Sequence, residues 1–108
     1  MTIPEITAYV MALPVEELRR KSWEDIMGRP MEFMGGEVTH WTPDDDRNQS
    51  RLVTDKLKLV GTLELTEALT LVTGTEYPYL YDITPDQETR AALIAHMIHT
   101  QEVTNDPN

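Results

Sequence analysis

Apolar residues recur at helical spacing at the start of the chain, at Ile3, Ile6, Val10 and Leu13. Thr2, with Glu5 three residues later, supplies a capping box ahead of them, and Pro4 suits a first helical turn. Pro14 interrupts the run. The pattern restarts there as a second helix, with Val15, Leu18, Ser22 and Ile26 on one face and Glu16, Glu17, Arg19 and Arg20 outside it. Gly28 and Pro30 stop it. The period then changes. Met31, Phe33, Val38 and His40 alternate with polar neighbours around Gly35-Gly36, which predicts a β-hairpin with strands over 31–34 and 37–41.

Thr42-Pro43-Asp44-Asp45 opens a third helix, with Thr42 as cap, Pro43 at the first position and aspartates against the positive helix end. Gln49, Leu52, Val53, Lys56, Leu57 and Val60 give its face, and Gly61 ends it. Residues 62–73 (TLELTEALTLVT) are rich in leucine and threonine and broadly alternating. They predict a strand or a bent pair of strands, with a helix over 65–71 as the alternative. Gly74-Thr75-Glu76 makes a turn, and 77–83 reads as a further strand that Pro78 assigns to a sheet edge. Thr84-Pro85-Asp86-Gln87 starts a last helix with Ala91, Ile94, Ala95 and Ile98 as its buried stripe, ending near Thr100. The order α-α-β-β-α-β-β-α implies an α+β sandwich: an antiparallel or mixed sheet of about four strands with helices packed on it. Leu18, Ile26, Phe33, Leu52, Leu57, Leu93 and Ile94 are its expected core. Residues 1–100 form one domain in this reading, and 101–108 a flexible tail.

Composition narrows the chemistry. Hydrophobic residues at 40% and charged residues at 26% are those of a folded chain rather than a disordered one. The absence of cysteine excludes disulfides, a thiolate nucleophile and zinc–thiolate or iron–sulfur sites. The opening MTIPEITAYV lacks the features of a signal peptide, and no stretch approaches the ~20 apolar residues of a membrane span, so a soluble cytoplasmic protein is expected. Charge is the more telling quantity. The net charge is −10, and its density rises along the chain: residues 1–58 hold eleven acids and eight bases, residues 59–108 eight acids and one base, Arg90. Such a chain repels nucleic acid and anionic membranes and is drawn to basic protein surfaces.

Four clusters could carry function. Asp44, Asp45 and Asp46 are the densest carboxylates, but lack the alternating ligands, glycine and terminal glutamate of a calcium loop, so they read as helix-start electrostatics. His96 and His99 lie three apart without a third ligand in sequence, which reads as imidazoles at the negative end of a helix. Arg19, Arg20 and Lys21 precede Trp23, and together with Trp41 they could grip a nucleotide by phosphate contact and stacking. Glu16, Glu17, Glu24 and Asp25 surround them and favour ion pairs instead. Glu76, Tyr77, Tyr79, Tyr81 and Asp82 combine acids with the aromatic residues that anchor protein interfaces. No nucleophile–base pair, phosphate loop or dinucleotide fingerprint is present, so neither catalysis nor a cofactor is expected.

Ile26-Met27-Gly28, Trp41-Thr42-Pro43-Asp44-Asp45 with Lys56-Leu57, and Thr89-Arg90-Ala91-Ala92-Leu93-Ile94-Ala95 together resemble the phage ABA-sandwich domain family over residues 15–97. That resemblance implies a small α/β protein encoded by a phage or prophage, with no established catalytic residues to carry over. Arg19-Arg20-Lys21-Ser22-Trp23 followed by Trp41-Thr42-Pro43 is also similar to a phage family that sequesters cyclic nucleotide signals of host immunity. The resulting expectation is an acidic phage accessory protein that binds and inhibits a host protein with a basic surface by mimicking nucleic acid, as a single chain or a homo-oligomer. Asp44, Asp45, Asp46, Glu76, Tyr77, Tyr79, Tyr81 and Asp82 would supply the contact. The alternatives are a nucleotide sponge using Arg19, Arg20, Trp23 and Trp41, and an accessory to phage structure or assembly.

Overall fold

A helix buried on nearly every side organises the molecule. In the computed structural model, which describes residues 1–28, 41–59, 62–76, 78 and 82–100, α1 (Ile3–Met11), α2 (Val15–Lys21), α3 (Arg47–Lys56) and α4 (Leu63–Thr73) precede α5 (Pro85–Thr100). Helices α1, α3 and α4 all pack on α5, as does the π-helical turn Ser22–Ile26 that continues α2. Residues 88–95 of α5 are all buried. Ala91, Ala92 and Ala95 keep that helix thin enough for neighbours to approach from several directions, while Leu93 and Ile94 fill the space between them. Capping follows local chemistry: Thr2 with Glu5 caps α1, and Thr84 with Gln87 forms the same reciprocal pair before α5.

The α+β sandwich is overturned. Every regular element among the described residues is helical, and no strand occurs among them. Residues 62–73, read above as a strand or a bent pair of strands, are instead the cap and body of α4. Leu65, Ala68 and Leu69 fall at i, i+3 and i+4 and are buried together. The threonines that suggested a strand bond back along the helix: Thr66, Thr70 and Thr73 hydroxyls donate to the carbonyls of Thr62, Thr66 and Leu69, four residues earlier. Thr62 caps the first turn and Gly74 closes the last with φ +73°, a conformation that costs glycine little. The hairpin's residues 31–40, with Phe33, lie outside the described residues; Trp41 is buried and not in a strand. In the predicted strand 77–83, Tyr77 and 79–81 are likewise outside, whereas Asp82 and Ile83 belong to an irregular connection.

Helix α3 also starts later than expected. Thr42 and Pro43 belong to a turn in which the Thr42 carbonyl accepts from Asp45 and Asp46 N–H, and Asp46, not Thr42, caps the helix through Asn48 and Gln49 N–H. The buried face also differs from the expected one. Ser50, Val53 and Thr54 are inside, Leu57 is half-buried, and Leu52 is 51% exposed instead of part of the core. Leu18, Ile26, Leu93 and Ile94 are buried as expected. No helix among the described residues is long and apolar enough to cross a membrane.

Candidate functional site

The tertiary fold uses most of the predicted site residues that lie among the described ones to hold itself together. Arg19 on α2 donates to both carboxylate oxygens of Asp44, Nε to Oδ1 at 2.8 Å and Nη2 to Oδ2 at 3.1 Å, which ties α2 to the turn before α3. This hydrogen-bonded pairing raises the Arg19 pKa further above its ordinary value. Arg20 bridges Glu17 and Glu24 on its own helical stretch, and the Arg20 hydrogen bond lowers the Glu17 pKa. Trp41 packs 5.0 Å from Trp23, centroid to centroid, with the rings tilted by 56°. Its buried indole N–H donates to the Ser22 hydroxyl at 2.9 Å, and that hydroxyl donates to the Arg19 carbonyl. The four proposed nucleotide contacts are thus neighbours, but the two guanidiniums face carboxylates and the indole N–H is already bonded.

Of the three aspartates, Asp44 and Asp46 are engaged as ion-pair partner and helix cap, and Asp45 is exposed. Glu76 and Asp82 are exposed, while Tyr77, Tyr79 and Tyr81 lie outside the described residues. His96 and His99 do not converge. They line separate clefts on either side of the last turns of α5.

The cleft at His96 encloses about 420 Å³ and is polar, lined by Met1, Tyr9, Lys21, Asp25, Met97 and Thr100 as well. The Lys21 ammonium sits 5.6 Å from the Tyr9 ring centroid. Burial lowers the His96 pKa, Asp25 pulls it back up, and His99 lowers it further. Lys21 and Asp25 bring opposite charges to this cleft.

The cleft at His99 is a groove of about 230 Å³ between the start of α1, one face of α4 and the end of α5. Ile3, Ala68, Leu71, Ala95 and Ile98 supply its apolar surface, and Glu64 and Glu67 its acidic rim. Both glutamates are exposed, and neither pairs with a cation among the described residues. Reading 62–73 as a strand hid this groove, because alternation puts Glu64 and Glu67 on opposite faces. Helical spacing puts Glu64, Glu67, Ala68 and Leu71 on one. That i, i+3, i+4, i+7 pattern was the available signal.

The arginines among the described residues are held elsewhere. Glu88 on α5, buried, accepts from Arg47 at 3.1 Å and the Ser50 hydroxyl at 2.5 Å, with Arg51 3.5 Å away. Arg47 also donates to the Ile83 carbonyl. Arg90, the one base after residue 58, is 8% exposed and points inward to α1. The acids Glu64, Glu67, Glu76 and Asp82 therefore face solvent without a neutralising side chain among the described residues. Comparison with protein-family models, curated proteins and solved structures finds no match to this chain, so the phage-family resemblance gains no support from it.

Proposed function

We propose that this chain is a small acidic, non-catalytic binding domain that docks on a basic surface of another protein and inhibits it by occupying a groove meant for nucleic acid. A single observation carries the reading: among the described residues, five arginines are engaged on carboxylates within the fold, while Glu64, Glu67, Glu76 and Asp82 stay exposed and uncompensated, on a chain of net −10. A basic groove that meets this surface keeps a counter-charge for each lysine or arginine it buries, and association is steered by the field. A phage origin and a host-cell setting, implied by the resemblance on Trp41-Thr42-Pro43-Asp44-Asp45, belong to the same reading. A nucleotide sponge is disfavoured, since Arg19 and Arg20 are paired with Asp44, Glu17 and Glu24.

Affinity capture from bacterial lysate, followed by salt titration and competition with duplex DNA, tests the proposal. The expected partner is a nucleic-acid-binding protein whose association weakens steeply with salt and is displaced by DNA. A partner held equally at low and high salt, or one that binds DNA and this chain together, overturns it.

A further inference from the structure

From the groove between α1, α4 and α5 we infer the chemistry of the contact: it receives an apolar side chain carried on a basic, Lys/Arg-flanked segment of the partner. This inference rests on the binding reading above and names the site that serves it. The groove's apolar surface is contributed by three helices, with Ile3, Ala68, Leu71, Ala95 and Ile98. On the same helix Leu71, part of that surface, is 39% exposed, and Leu63 is 69% exposed. At about 230 Å³ the groove is smaller than the ~300 Å³ at which pockets for drug-sized ligands begin, so it suits a side chain or two rather than a cofactor.

Charge selects the occupant. Glu64 and Glu67 stand three residues apart on α4 beside the apolar surface, and the only other titratable group on the groove among the described residues is His99, exposed at the end of α5. A lysine or arginine flanking the inserted side chain meets both carboxylates. The chain's own residues 101–108 hold two acids, Glu102 and Asp106, and no base, so they would place like charge on that rim. A second copy, at net −10, is repelled for the same reason. Helix-in-groove recognition of this kind needs an apolar anchor for affinity and a charged flank for register.

The probe is a fluorescein-labelled peptide with two leucines between lysine and arginine residues, titrated into the full chain by polarisation and by backbone-amide NMR. Binding is expected to shift the amides of Leu71, Ala95 and Ile98. Glu64→Gln with Glu67→Gln, or Leu71→Ser, should each weaken it about tenfold. Replacing the peptide leucines by serine, or its bases by glutamate, should abolish it. No binding, shifts that map to the His96 cleft, or affinity unchanged in both variants overturns the groove. So do cross-relaxation contacts between 101–108 and Leu71 in the free protein, or concentration-dependent shifts at Ile98 without peptide, which would assign the groove to the tail or to a second copy. The two proposals fail separately. If the Glu64→Gln, Glu67→Gln and Leu71→Ser variants capture the lysate partner as tightly as the native chain and with the same salt dependence, the groove fails and the acidic-surface reading stands. If the peptide binds but no salt-sensitive partner is captured, the reverse holds.

Discussion

The Arg90 guanidinium closes the end of α1 from another helix. Its Nη1 donates to the carbonyls of Val10 at 2.7 Å and Leu13 at 3.1 Å, with Met11 at 3.4 Å, while Nε holds Asp86 at 3.0 Å. The last turn of a helix leaves carbonyls without partners, and a cation there also meets the negative end of the dipole. Arg90→Met keeps the bulk but removes these donors, leaving the buried Val10 carbonyl with the Leu13 N–H alone and the part-buried carbonyls of Met11 and Leu13 without the guanidinium. It should cost about 3 kcal/mol, a fall in Tm of roughly 10–20 °C by calorimetry, and Arg90→Lys should lie between the two. A loss under ~1 kcal/mol for the methionine variant would show that water takes over the cap. His96 gives a test at a different pH. Its folded pKa lies below the ordinary 6.5, chiefly through burial, with Asp25 opposing and His99 assisting. The unfolded chain therefore takes up the proton more readily, so this contribution is full above pH ~6.5 and is lost as pH falls through the folded value. Chemical denaturation between pH 7.5 and 5.5 should show stability declining towards acid in the native chain, and a flatter profile in His96→Asn. Equal slopes would remove His96 as the cause.

At the level of elements, α4 is held by its ends as much as by its face. Gly74 at φ +73° ends it, and a Cβ there would meet nothing within 4 Å, so backbone strain alone sets the cost of a side chain. Gly74→Ala should cost about 1–2 kcal/mol and Gly74→Asn less, because asparagine tolerates the left-handed region. Equal costs for the two would point to a packing cause that the structure does not contain. At the other boundary, Asp46 accepts from two N–H groups at the start of α3. Asp46→Ala should cost about 1 kcal/mol, whereas Asp45→Ala, at an exposed neighbour, should cost little. This pair of variants separates capping from the general charge of the triplet.

Taken whole, the molecule carries an excess of negative charge that its internal ion pairs do not relieve. Raising NaCl from about 20 mM to about 200 mM shortens the screening length from roughly 20 Å to roughly 7 Å. The repulsion among exposed acids such as Glu64, Glu67, Glu76 and Asp82 should weaken, and Tm should rise by a few degrees. A fall in Tm instead would mean that Arg19–Asp44 and Arg47–Glu88 outweigh that repulsion. The same screening must weaken binding to a basic partner, so stability and affinity should respond to salt in opposite directions.

Local chemistry legible in the sequence included the capping box at Thr2 and Glu5, the break at Pro14, the start of α5 at Pro85, and the burial of Leu18, Ile26, Leu93 and Ile94. These depend on residues within a turn of one another, whose preferences point the same way. The charge asymmetry was also readable, because it needs no fold. Residues 62–73 were ambiguous for a physical reason. Leucine and threonine serve a strand or a helix, and only packing of Leu65, Ala68 and Leu69 in the core settled the choice. That choice brought Glu64, Glu67 and Leu71 together at one groove. Long-range pairing decided the rest: Arg19 found Asp44 twenty-five residues away, and Arg90 found Val10 at a separation of eighty. A residue's charge is fixed by its identity, but whether that charge faces a ligand or closes a neighbouring helix depends on contacts that only the folded chain creates.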